Sequence, residues 1–233
     1  MIRRDYILRM IEEFAQALAR IRSLKGSQRW GEASAALDAE LIRLFGDGAQ
    51  AVARLSETEL LARLMQDGPT HVVRDKTLML TTLLTEAGDV ASAEDRMDEG
   101  RECYLKALHL LLDVLARGEV FESPEFLPKV EMLKEALQGT PLPPRTHALL
   151  MQHHERTGEF AKAENALFAT LDAEPDNSAI VEFGVAFYKR MLTQSDAALT
   201  EGALPRAEVE EGLKELLQRP ERSEAPSATR PAP

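Results

Sequence analysis

The run from His147 to Pro175, HALLMQHHERTGEFAKAENALFATLDAEP, constrains this chain more than any other stretch. Apolar residues recur at three- and four-residue steps on either side of Gly158, and a proline closes the second series at Pro175. Such a pattern predicts two amphipathic helices joined by a tight turn, because a period near 3.6 puts those residues on one face and glycine accommodates the reversal. The remainder must then be compatible with a stack of helical hairpins.

Composition agrees. Aromatic residues make up only 5% of the 233 and hydrophobic residues 44%, with abundant Ala, Leu and Glu, a mixture that favours helix over sheet. Ile7, Met10, Ile11, Phe14, Leu18, Ile21 and Leu24 form one face of a long first helix ending near Gly26. A second is expected from Trp30 to Phe45, with Ala33, Leu37, Leu41 and Leu44 inward and Gly46-Asp47-Gly48 as its stop. Ser56 with Glu59 reads as a capping box opening a short helix to about Gln66. Gly68-Pro69 breaks the chain before a helix expected to end near Gly88, and Ser92 to Asp95 lead into an apolar helix up to Gly118.

Ser123-Pro124 reads as an N-cap with proline at the first helical position, predicting a helix from there to Gly139. Pro141, Pro143 and Pro144 precede the hairpin. A helix over about 178–192, a loop over 193–204 and a last acidic helix over 207–217 complete an all-α chain of nine to ten helices. These readings place a single helical domain at 1–218. The segment 219–233, RPERSEAPSATRPAP, is a proline-rich tail expected to be disordered.

The segment 144–175 resembles one tetratricopeptide repeat (TPR). In that pattern Leu150 stands seventh, Met151 eighth, His154 eleventh, Ala163 twentieth, Leu167 twenty-fourth, Leu171 twenty-eighth and Pro175 thirty-second. Phe183-Gly184 and Phe187 resemble the first helix of a following repeat, reaching to about residue 192. Trp30, Ala33, Leu37 and Leu41, and also Met97, Gly100, Tyr104, Ala107 and Leu108, resemble second helices. Ala33 to Gly100 spans 67 positions and Gly100 to Ala163 spans 63, each near twice the ~34-residue period. The opening RRDYILRMIEEFAQALARI is also similar to the start of a bacterial family of uncharacterised proteins with TPR-like helices. The resemblance implies a right-handed superhelix, an α-solenoid of antiparallel hairpins; an irregular helical bundle containing one true repeat is the alternative.

The charge of −11 is uneven: residues 1–25 hold six basic against three acidic residues, leaving the rest at about −14. A surface of that sign repels phosphate backbones, so nucleic acid is not expected as a partner. Cys103, the sole cysteine, cannot form an intramolecular disulfide and reads as a core thiol. The start develops no export-type apolar run, and the longest apolar stretch, 107–116, is about half the ~20 residues of a membrane span. A soluble cytoplasmic protein is the expectation.

His147, His153, His154 and Glu155 are the only cluster of good metal ligands, and HHE is similar to a string in hemerythrin-like diiron bundles. A metal centre needs three or more ligands converging from several helices. Because His154 falls on a packing position, no metal and no cofactor are expected. The runner-up reading keeps a helical-bundle metal-binding protein or enzyme centred on His147 and His154. No phosphate loop, nucleophile elbow or dinucleotide fingerprint is present in the sequence.

The leading expectation is a non-enzymatic adaptor or scaffold that binds another protein or peptide, or itself, through a helical surface. In TPR proteins the second, fifth, ninth, twelfth and thirteenth positions face the groove. The resemblance places Arg145, Ala148, Gln152, Glu155 and Arg156 there. Ala148 and Gln152 do not supply the Lys and Asn of the clamp that some TPR proteins use for carboxyl-terminal peptides.

Overall fold

Residues 2–66, 70–118 and 122–218 are described by a computed structural model, and among them the secondary structure is entirely helical. Among the described residues there are twelve helices rather than nine to ten. The chain divides into two compact units, residues 1–142 and 143–233.

Unit 1 contains α1 (Ile2–Gly26), α2 (Trp30–Phe45), α3 (Ala49–Arg54), α4 (Glu57–Met65), α5 (Thr70–Ala93), α6 (Met97–Ala116) and α7 (Val130–Ala136). Its core runs along α5 and α6, where Leu78 to Leu80 and Leu83 to Leu84 of α5 meet Leu108 and Leu110 to Leu112 of α6, all buried. The α5 interior also carries threonines. Thr77, Thr82 and Thr85 each donate their hydroxyl to the carbonyl four residues earlier, at 2.7, 3.0 and 2.8 Å, so these hydroxyls enter the core already satisfied. Met10, Phe14, Leu18 and Ile21 close the α1 face as expected.

Unit 2 contains α8 (Pro144–Thr157), α9 (Phe160–Ala173), α10 (Ser178–Met191), α11 (Asp196–Glu201) and α12 (Arg206–Gln218). Leu150, Met151 and His154 of α8 and Ala163, Leu167 and Leu171 of α9 are all buried, so the hairpin packs on the positions its sequence nominated.

Three hairpins, α1–α2, α5–α6 and α8–α9, reverse in the same way. A residue in the left-handed region ends the turn: Gln28 (φ 57°), Asp95 (φ 59°) and Gly158 (φ 78°). The next residue, Arg29, Arg96 or Glu159, sits at φ near −88° and ψ near 61° and donates its N–H to the carbonyl five residues back. Those bonds measure 2.9, 2.8 and 2.9 Å, the six-to-one bond that satisfies an otherwise unpaired carbonyl at a helix end. Each of these residues also pairs with an opposite charge three positions on, Arg29 with Glu32, Arg96 with Glu99 and Glu159 with Lys162. One residue later comes Ala33, Gly100 or Ala163, small and buried against the preceding helix.

Several boundaries differ from the sequence expectation. α5 does not end near Gly88 but continues to Ala93, and Gly88 is an interior residue that a Tyr104 ring covers: a Cβ there would lie 2.6 Å from the ring. The helix expected over 123–139 is confined to 130–136. Pro128 disfavours the helical region for Leu127, and Phe126 is held in irregular backbone by its ring against Phe14 and its carbonyl against Arg22. The expected loop over 193–204 contains α11, whose N-cap Ser195 accepts the Ala198 N–H at 3.2 Å. The Ser56–Glu59 capping box is present in both directions. Gly68-Pro69 and the 219–233 tail lie outside the described residues.

In unit 2 a Cβ at Gly212 would approach the Tyr188 ring to 2.3 Å, and Tyr188 is fully buried. Gly212→Ala is therefore expected to destabilise the protein by about 1–3 kcal/mol despite alanine's better helix propensity. Chemical denaturation checks this, and an unchanged or raised midpoint contradicts the close crossing.

Candidate functional site

The five residues nominated for partner contact lie on α8, but they are not equivalent. Arg145 and Arg156 are exposed near its two ends, while Ala148, Gln152 and Glu155 are half-buried between them. Glu155 is gripped by Arg190 of α10 through two parallel bonds, Nε to Oε1 at 2.6 Å and Nη2 to Oε2 at 2.8 Å. That fork fixes the carboxylate's orientation and joins α8 to α10. Proximity to Glu155 raises the Arg190 guanidinium further above its ordinary range.

His154 is only 1% exposed, and its Nδ1 lies 2.8 Å from Glu159 Oε2. Glu159 also takes a bond from Lys162, and these partners hold its carboxyl at about 2, Lys162 contributing most. An ionised carboxylate only accepts, so Nδ1 carries the proton in this pair. His147, one face-repeat earlier, is half-buried, and desolvation lowers its pKa and favours the neutral ring. His153 stacks obliquely on His154 with centroids 5.4 Å apart. No group of three or more His, Cys, Asp or Glu is placed to hold a metal ion among the described residues. No described helix is long and apolar enough to cross a membrane.

Unit 2 also has an open depression of ≈ 470 Å³ between the α8–α9 turn and α11, lined by Glu159, Phe160, Lys162, Glu201 and Gly202. Gly202 permits it: its carbonyl accepts the Ala161 N–H at 3.0 Å, and a Cβ there would strike Phe160 and the Gly158 carbonyl.

Unit 1 holds a cleft of ≈ 460 Å³ that sequence reasoning missed. Its floor is Leu37 and Leu41 of α2, Val52 of α3, and Leu84 and Val90 of α5, and its rim carries Arg54, Arg96, Glu99, Glu102 and Lys106. The wall formed by α3 is a six-residue helix, too short to persist alone. Side chains from other helices hold both its ends. Asp38 Oδ1 accepts the Ala49 N–H at 2.7 Å, with Gly48 leaving room for the carboxylate, and Lys106 Nζ donates to the Ala53 carbonyl. Cys103 lines the cleft, and burial pushes its thiol up to about 11, so it is protonated at neutral pH. No single motif marks this place, because its residues come from four helices and only α3's end caps, 11 and 53 residues distant, create the wall.

A family model described as Family of unknown function (DUF6483) matches residues 1–221. No curated protein and no solved structure matches the chain.

The Glu159 cluster makes an acid-side test. A depressed carboxyl stabilises the fold above its unfolded value near 4.5, and that contribution is lost as pH falls toward about 2. The advantage of the wild type over Glu159→Gln is therefore expected to be constant above about pH 5 and to shrink steadily between pH 4.5 and 2. Denaturation midpoints of both proteins across that range measure it; a pH-independent difference refutes the assignment.

Proposed function

The chain belongs to that family of unknown function, and from its geometry we propose a non-enzymatic adaptor that binds a protein or peptide partner in the cytoplasm through the α8 face of a TPR-like array. The observation that carries this reading is the Glu155–Arg190 fork, which orders a polar surface built on helices rather than loops. Ordering before contact lowers the entropy lost on association. The three hairpins with one turn geometry and a small residue at the same offset support the TPR-like assignment. Buried Leu150, Met151, His154, Ala163, Leu167 and Leu171 occupy the packing positions of that pattern.

On this reading the exposed Arg145 and Arg156 flank the contact surface and favour a partner segment that carries carboxylates toward its two ends. The half-buried Ala148 and Gln152 between them leave space for small or neutral side chains.

Affinity purification with the wild type and with Arg145→Glu/Arg156→Glu tests the proposal. Partners enriched by the wild type are expected to fall at least about tenfold with the double reversal, each reversed rim charge costing association. Helix content by circular dichroism is measured beside it, so that a loss of fold is told apart from a loss of contact. An identical set of partners at identical yield removes the α8 face from the proposal.

A further inference from the structure

The unit 1 cleft has the volume, lining and polarity of a small-molecule site. At ≈ 460 Å³ it falls within the range of about 300–1,000 Å³ usual for such sites. Leu37, Leu41, Val52, Leu84 and Val90, all at most 3% exposed, give it an apolar floor, while the exposed Arg54, Arg96, Glu99 and Glu102 stand at the mouth and Lys106 is buried. Most of these charges are paired with one another. Arg96 is paired with Glu94 and Glu99, and Lys106 with Glu102 at 2.8 Å. Arg54, exposed at the end of α3, is the one cation of this rim without a hydrogen bond or ion pair among the described residues.

Lys106 adds a second directed group. Its side chain is buried, and two of its three N–H donors go to the Ala53 carbonyl and to Glu102. An ammonium has three donors, so one remains on a side chain that lines the cleft. Both features call for negative charge at the mouth, and the floor calls for hydrocarbon. We propose that the α2–α3–α5–α6 cleft binds a straight-chain carboxylate, its hydrocarbon chain against the leucine and valine floor and its carboxylate on Arg54 and the remaining donor of Lys106.

Why a single carboxylate rather than a phosphate or a dianion follows from the same inventory. Glu99 and Glu102 stand on the rim, so a second negative charge would meet carboxylates already committed to Arg96 and Lys106. A protonated Cys103 beside them adds no charge of either sign at neutral pH.

Titration calorimetry of the full chain with decanoate, decanol and acetate, each below any micelle-forming concentration, tests this. Decanoate is expected to bind one to one, decanol at least tenfold more weakly, and acetate not measurably. Arg54→Gln, at an exposed position with no partner to lose, is expected to weaken decanoate about tenfold to a hundredfold and leave decanol unchanged. Ala87→Trp, which fills the cleft, should abolish both. No decanoate binding, decanol binding as tight as decanoate, or binding unaffected by Ala87→Trp each overturns the proposal. If Ala87→Trp loses helix content, decanoate-induced NMR shifts in the wild type decide the location: methyl shifts at Leu37, Val52 and Leu84 support it and their absence refutes it.

Discussion

The hairpins α1–α2, α5–α6 and α8–α9 each depend on one close crossing, set one turn after the chain reverses, where the second helix carries a residue too small to hold the first away. In α5–α6 that residue is Gly100, whose missing Cβ would stand 2.5 Å from Ser92 Oγ and 3.1 Å from the Gly88 carbonyl. Ala33 and Ala163 take the same place in α1–α2 and α8–α9, fully buried. The contact fixes how far apart the helices run, and hence which side chains meet beyond it. Beyond Gly100 the leucines of both helices are buried. The tight turns follow as well, since a six-to-one bond closes only if the two helices leave the turn together.

This explains what was legible in the sequence. The hairpin at 144–175 could be read because its crossing residue, its turn glycine and its apolar faces all lie within one local window. The hairpins near Trp30 and Met97 could be located by spacing, 67 and 63 positions between crossing residues, although the turns there use Gln28 and Asp95 instead of glycine. Gly88 was misread for a physical reason: a glycine under an aromatic ring and a glycine ending a helix are the same letter. Short helices were invisible to periodicity, since six residues complete under two turns. Ser195 could have signalled α11, but α3 exists because Asp38 and Lys106 cap it from other helices, and no local pattern records that. The cleft was illegible for the same reason. The α8 residues were nominated by the resemblance to a repeat, while the Arg190 grip on Glu155 required the fold.

Buried charge is managed by pairing across helices. Glu86 of α5 is 4% exposed and receives Arg22 at 2.7 Å and Lys25, both from α1. Glu40 of α2 is similarly held by Arg43, which also reaches Glu13 of α1 at 3.1 Å. Such pairs add little net stability once desolvation is counted, but losing one partner strands the other. They therefore act chiefly on register: α1 can lie on α2 and α5 only where these charges meet. The basic excess of residues 1–25 is thus partly spent inside unit 1.

Both units also use one further device. Tyr104 of α6 lies over Gly88 of α5 and donates its hydroxyl to Asp89 at 2.7 Å; Tyr188 of α10 lies over Gly212 of α12 and donates to Glu164 of α9 at 2.6 Å. Burial raises both phenols well above their ordinary range, the carboxylates adding to it. A phenol needs a flat partner for its ring and an acceptor for its hydroxyl. The glycine supplies the first by removing a side chain, and the carboxylate supplies the second. In unit 1 the acceptor stands next to that glycine and also takes Lys25, so α1 joins the pair. In unit 2 glycine and acceptor sit on different helices, and one tyrosine ties three together. With few aromatic residues to fill its cores, the chain places two of its three tyrosines where each aligns several helices at once.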